Sequence, residues 1–368
     1  MRLQQFSPAC RPYVASISKR STALEDLAET FPALLVALAT GYGSNASRAD
    51  AFQAVADGQK LKSVSRILGL PWWTRKLGAD VFDGGLPRLP TRSDIDLAMA
   101  NFVPPNGTRA QADWFARVCK AARAGTPDFM VWAARHARAI GRSADDPTFE
   151  FACAYAWHSS QPSLPAAQLI GSPFHPDMTP RRVREEVRRW RQRIALSIAL
   201  ENQPRLAWSR YGPATDYRFE ALRTTDDFIA ESRAMKNCLD RYSGPIETGS
   251  VILYSIRRDG RAIADIELLV TDDPQHPIRI SQLKGIANRT VGPHVWRAAR
   301  DWVSHQSARW PRPTRRGSRR SPNAAFAALW GPYRAFIGGD QFASLDTCMR
   351  RSAKSERDRK RVLARART

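Results

Sequence analysis

Cysteine, histidine and lysine are all scarce in this chain, and each scarcity removes a class of function. The five cysteines, Cys10, Cys119, Cys153, Cys238 and Cys348, are odd in number, widely spaced and without a CxxC pair. That excludes a disulfide framework or a zinc ribbon and fits reduced thiols. The six histidines are equally scattered, so there is no sequence-local metal box. No apolar run approaches the roughly 18 residues of a membrane-spanning helix, and Met1 to Arg20 lacks the apolar centre of a signal peptide. No membrane partner is expected, and the expected location is the cytoplasm. Lysine supplies only nine of the 57 basic side chains, so the basic character is almost entirely arginine.

What the chain does have is length, apolar content and positive charge. At 368 residues and 43% apolar it can build two or three domains with real cores. The net charge is +22, and its placement matters more than its size. Arg181 to Arg193 contributes +5, Pro311 to Pro322 another +5 and Thr347 to Thr368 +7, whereas Thr224 to Trp310 holds twelve basic and eleven acidic residues. The basic charge therefore sits in segments that flank a nearly neutral region. Arginine clusters of this kind suit phosphates, because the guanidinium fork matches phosphate oxygens and released counterions favour binding. Nucleic acid, DNA or RNA, is the expected partner. The candidate contacts are Arg181, Arg182, Arg188 and Arg189 on a helix and Arg315, Arg316, Arg319 and Arg320 in a linker. The plainer reading of the helical set is the solvated face of a core-packing helix.

Periodicity and punctuation predict an α+β chain with a mainly helical amino-terminal half. Helices are expected over Ser21 to Thr40, Ser47 to Asp57, Thr108 to Ala124, Pro127 to Ile140 and Thr148 to His158, with a loop or short helices packed by tryptophan over Leu68 to Pro105. Thr179 and Pro180 open a helix with the apolar stripe Val183, Val187, Trp190, Ile194 and Ile198. Thr225 caps a helix running through Tyr242, with Glu231 and Cys238 on its apolar stripe. Asp259-Gly260 predicts a tight hairpin between Ser250 to Arg257 and Arg261 to Val270. A third strand over Ile278 to Gly285 completes a three-stranded antiparallel meander, and Pro293 opens a closing helix. The expected regions are 1–105, helical and rich in Trp and Pro; 106–203, helical with the arginine-rich helix; 204–310, an α+β core; and 311–368, a basic linker and tail.

The unusual feature of the core is acids inside strands that otherwise read as buried. Asp265 and Glu267 alternate with Ile263 and Leu269 on one face, and an unpaired buried charge costs several kcal/mol. Strands keep such acids only when partners satisfy them or a site uses them. Gln282 and Lys284, alternating on the next strand, are the expected partners. A two-residue hairpin loop would set Tyr254 opposite Asp265 and Ile252 opposite Glu267.

Phe228 to Asn288 resembles the PcfJ-like family, named for a protein of conjugative plasmids. The positions that carry the likeness are Glu231, Asn237-Cys238-Leu239, Tyr242, Gly249, Arg257, Glu267, Gln282, Gly285 and Asn288, with a weaker echo in Leu70-Pro71-Trp72-Trp73, Arg75-Lys76-Leu77 and Phe82. Asn237 stands where the family has His, so a mechanism that needs an imidazole base there does not carry over. The resemblance implies a bacterial mobile-element setting and no particular chemistry.

Two functions follow. In the first, the chain is a nucleic-acid-associated accessory protein. Its arginine-rich segments hold phosphates, and Trp190, Trp310 and Tyr333 are candidates for stacking on bases. Glu231, Asp265, Glu267, Gln282, Lys284 and Asn288 then form a satisfied buried network. In the second, the chain is a nuclease similar to restriction-endonuclease-like enzymes. Asp265 or Glu267 would hold Mg²⁺ with Gln282, Lys284 would assist the attacking water, and Glu231 would add a carboxylate. Mg²⁺ is implied only by that alternative. It requires the side chains to share one face of the sheet, which a one-residue slip would undo.

Overall fold

The computed structural model describes residues 2–106, 109–141, 143–201, 203, 208–212, 216–247, 251–271, 273, 278–308, 323–343, 345–347 and 349. The chain divides into two units, one formed by Met1–Ser163, Ser172–Val187 and Tyr333–Cys348, the other by Leu164–Gly171, Arg188–Pro332 and Met349–Thr368. No helix among the described residues is long and apolar enough to cross a membrane. The linker arginines Arg315, Arg316, Arg319 and Arg320, together with Trp310 and Gly249, lie outside the described residues.

The described part of the first unit is helical. Its helices include Arg11–Ser18, Thr22–Thr30, Pro32–Thr40, Asn45–Ala56, Leu61–Leu68, Ser93–Ala100, Arg109–Ala124, Pro127–Arg135 and Pro147–Ser159. The single helix expected over Ser21 to Thr40 is two. Proline has no N–H to give a preceding turn, so Pro32 opens a new helix and Phe31 before it is extended, at φ −157°. The Pro/Trp-rich stretch forms two short 3-10 turns, Trp72–Lys76 and Ala79–Val81. They are held by Trp73, which is fully buried and meets Trp114 edge to face at 5.7 Å.

The second unit carries the sheet. Its elements are the helix α1 (Pro180–Leu200, entering from the first unit), strand β1 (Arg218–Ala221), helix α2 (Thr225–Met235), strands β2 (Val251–Arg258), β3 (Arg261–Val270) and β4 (Ile278–Gly285), and helix α3 (Pro293–Ser307). The strands form one antiparallel sheet in the order β1-β2-β3-β4. The class is α+β as the sequence implies, with four strands instead of three. The extra strand, β1, pairs Ala221 with Tyr254 and Arg218 with Arg257 along the edge of β2.

Both faces of the sheet are covered. On one, Phe219, Ile252, Tyr254, Ile256, Ala264, Ile266 and Leu268 pack with Val295, Ala299 and Trp302 of α3. Trp302 is fully buried and stacks on Phe219 at 4.1 Å between centroids. On the other, Leu222, Val251 and Leu253 pack with Leu196 and Ala199 of α1 and Phe228 of α2. The alternating acids of β3 point to this second, α2-covered face.

Helix α2 starts one residue earlier and stops well before the expected Tyr242. Thr224 Oγ1 accepts from the Asp227 amide at 3.1 Å, and the Asp227 carboxylate accepts from the Thr224 amide at 2.9 Å, a reciprocal cap. Lys236, at φ 52°, turns the chain into the left-handed region and ends the helix. Cys238 therefore leaves the apolar stripe on which the sequence places it and is exposed.

Trp190 and Tyr333, expected as base-stacking candidates, are buried instead. The Trp190 indole donates to the Ala166 carbonyl at 2.8 Å, and the Tyr333 hydroxyl donates to the Ala124 carbonyl at 2.8 Å. Each ring's polar end is satisfied by backbone, as large amphipathic rings in a core require.

Candidate functional site

The hairpin turn is the one Asp-Gly predicts: Asp259 and Gly260 both have positive φ, 49° and 76°, and Arg258 pairs with Arg261. One residue further the ladder slips. A bulge at Ile263 pairs Ile256 with Ala264, so Ser255 faces Asp265 and Leu253 faces Glu267, not Tyr254 and Ile252 as the unbulged hairpin would have it. The slip moves Tyr254 into the α3 side of the core, where it meets Trp302 at 4.9 Å.

A second bulge, at Ser281, lies between β3 and β4. It leaves Asp265 directly opposite Lys284 and Glu267 directly opposite Gln282. The four side chains share a face, as both functional readings require. Their contacts differ from the expectation, however. Gln282 is exposed and Lys284 half-buried, and among the described residues neither makes a side-chain hydrogen bond or ion pair. They are not the partners of the acids.

The actual partners come from elsewhere. Glu231 projects from α2 at 1% exposure, and Arg257 Nη2 donates to its Oε2 at 2.9 Å. Arg257 reaches back with Nε to Glu220 Oε2 at 2.7 Å, and Glu220 also pairs with Arg218 at 2.5 Å. Asp265, 6% exposed, accepts from Asn237 Nδ2 at 2.7 Å through Oδ2. Glu231 lies close enough for its charge to add to burial in raising the Asp265 pKa. Glu231 Oε1 and Asp265 Oδ1 are buried with no hydrogen-bond partner among the described residues, and a proton shared between the two carboxyls would satisfy both.

The electrostatics assign that proton. Burial first, and then the neighbouring charge of Glu231, push the Asp265 carboxyl up to about 8, against smaller opposing effects of Asn237 and Arg257. The direction favours the protonated form of Asp265 at neutral pH, while the Arg257 guanidinium holds the other oxygen of Glu231. Glu267 stands apart from this pair. It accepts from the Tyr242 hydroxyl and is hydrogen-bonded to Ser281; burial raises its pKa and the Ser281 bond opposes that rise.

Two networks thus divide the family-like residues. One runs Arg218, Glu220, Arg257, Glu231, Asp265, Asn237; the other is Tyr242, Glu267, Ser281. Asn237 also accepts from the Leu239 amide at 3.2 Å, which fixes the amide so that its NH₂ points at Asp265. Gly285 ends β4, and its amide donates to the Arg289 carbonyl at 2.8 Å. Ala287 and Asn288 follow at φ 55° and 61°, two successive left-handed residues in the connector beside α2. Asn tolerates that conformation; Ala pays of order 1 kcal/mol for it.

Glu220, Ser281 and Ser255 escaped the sequence reading. Glu220 lies in a four-residue strand with no legible alternation, and Ser281 acquires its role only through a bulge. Ser255 is fully buried beside Asp265 with no partner for its hydroxyl oxygen. Among the described residues no three His, Cys, Asp or Glu side chains gather where they could hold a metal ion. Asp265 and Glu267, the expected Mg²⁺ ligands, instead accept from the Asn237 amide and from the Tyr242 hydroxyl, respectively.

Of the helical arginines, Arg181 and Arg182 are exposed and pair along the helix with Glu185 at 3.0 Å and Glu186 at 2.8 Å. Arg184 and Arg188 are exposed with no ion pair among the described residues, and Arg189 is half-buried. No family model, curated protein or solved structure matches this chain.

Proposed function

We propose that the chain is a nucleic-acid-associated accessory protein of PcfJ-like type, serving a bacterial mobile or conjugative element. The observation that carries this reading is the segregation of charge. Three flanking runs hold most of the +22, and on the helical run Arg184 and Arg188, one turn apart, are exposed and form no ion pair among the described residues. Exposed, unpaired guanidinium groups gain most from a phosphate chain, since no internal salt bridge has to be broken. The acid network supports the same reading, because every one of its carboxyl groups has a partner within the fold.

The test is retention on DNA and RNA as salt is raised. Binding should fall by a factor of roughly 10³ or more between about 50 and 200 mM salt if six or more phosphates are contacted. Absent or salt-insensitive retention contradicts the reading.

One observation favours the nuclease alternative: Asp265 lies opposite Lys284, Glu267 lies opposite Gln282, and Lys284 has no ion pair among the described residues. For Mg²⁺ to bind there, Asp265 must surrender its proton and Glu267 its two hydroxyl donors. Mg²⁺-dependent cleavage that disappears in Lys284→Ala would establish this alternative. Cleavage that survives in that variant would reject the assigned roles.

A further inference from the structure

Residues 224–310 are nearly neutral in sequence, yet several of their acids are buried, paired or used in a cap. Glu231, Asp265 and Glu267 are buried on the α2 face; Asp227 closes a helix cap, Asp240 pairs with Arg193 and Asp273 with Arg279. On the α3 side, Arg258, Arg297 and Arg300 are exposed, and none forms an ion pair among the described residues. Two of these guanidinium groups lie over aromatic rings. Arg258 sits 5.9 Å from the centroid of Tyr217 and Arg300 5.4 Å from that of Trp296. His294 stacks on Tyr217 at 6.4 Å and 21° between planes and is itself exposed. Arg297 follows His294 by one helical turn and stands beside it. Asp301, exposed on the same helix, pairs with none of them.

We propose that Arg258, His294, Arg297 and Arg300, supported by Tyr217 and Trp296, form a docking surface for single-stranded nucleic acid. The proposal rests on the nucleic-acid reading above and adds a location and a strand preference. Arginines held over rings are ordered before binding, so they lose little freedom on meeting a phosphate. The exposed ring of His294 offers a platform on which an unpaired base can stack, an option that a duplex with its bases inside does not have. The sequence conceals this surface because its basic and aromatic side chains come from three separated segments: around 217, at 258, and along α3 from 294 to 300.

The experiment uses the full chain and fluorescence anisotropy with labelled oligothymidylate, oligouridylate and a duplex, each about 20 nucleotides long. The variant R258A/R297A/R300A should bind both single strands at least tenfold more weakly and flatten the log–log salt dependence by about 2, from the loss of three phosphate contacts at ~0.7 each. The control K19A/K62A/R66A, which removes three exposed charges from the first unit, should bind within about twofold of the parent chain. His294→Ala should weaken single-strand binding about fivefold or more and leave both the salt slope and duplex binding unchanged. Comparison of the two single strands decides between DNA and RNA. A parent chain that binds no nucleic acid overturns the functional reading, and this surface with it. If the parent binds while the triple variant keeps its affinity, or if His294→Ala weakens duplex and single strand alike, this surface alone is overturned.

Discussion

Asp265 on β3 and Glu231 on α2 are both buried, and each keeps one carboxyl oxygen, Oδ1 and Oε1, without a hydrogen-bond partner among the described residues. Burial and the charge of Glu231 raise the Asp265 pKa, and a proton held between the two carboxyls would satisfy both oxygens. The pair ties the helix to the sheet, and Arg257 and Asn237 hold it from either side.

The pair makes stability depend on pH in a definite direction. Asp265 binds its proton more tightly in the folded chain, up to about 8, than at the ordinary carboxyl value of 3.8. Its contribution is full below about pH 4, declines as pH rises and is gone above about pH 8. Glu267, also raised by burial, acts in the same sense. The melting temperature should fall between about pH 5 and pH 9, and Asp265→Asn, which donates to Glu231 at any pH, should reduce that fall. An equally steep fall in the variant removes the shared proton from the account.

Arg257 is the cation that allows Glu231 to remain charged at 1% exposure. Arg257→Ala should destabilise the chain by about 3 kcal/mol in urea unfolding at neutral pH, because it strands Glu231 and half-releases Glu220. Adding Glu231→Gln should recover more than half of the loss. Strict additivity of the two substitutions contradicts a direct pairing.

These features mark how far the sequence could be read. The Asp-Gly turn, the strands Arg261–Val270 and Ile278–Gly285, and the opening of α3 at Pro293 follow from residues whose backbone preferences are strong, while β2 lies one residue later than the expected Ser250 to Arg257. The burial of Glu231, Asp265 and Glu267 was also legible, since an acid in an apolar stripe has few tolerable surroundings. Their partners were not legible. Bulges at Ile263 and Ser281 depend on packing on both faces of the sheet, and they decide whether Ser255 or Tyr254 meets Asp265. Strand β1, only four residues long, is created by its pairing with β2 and has no signal of its own. The break at Pro32 was missed, although a proline inside a helical pattern is a signal to end or kink the helix there.

Tyr242 carries the second network. Tyr242→Phe removes the hydroxyl that donates to the buried Glu267 and should cost about 1.5–3 kcal/mol, the usual range for a hydrogen bond to a charged group. In a Glu267→Gln background the same substitution should cost less than half as much. Equal costs in the two backgrounds would show that Tyr242 contributes only through packing.

The shared proton can be observed directly by difference infrared spectroscopy at neutral pH, comparing the parent chain with Asp265→Asn. The account predicts a protonated carboxyl C=O band that is present in the parent, absent in the variant, and lost from the parent as pH rises through about 8. A parent spectrum showing only ionised carboxylates at neutral pH contradicts it and would leave Glu231 and Asp265 as two charges available to a metal ion.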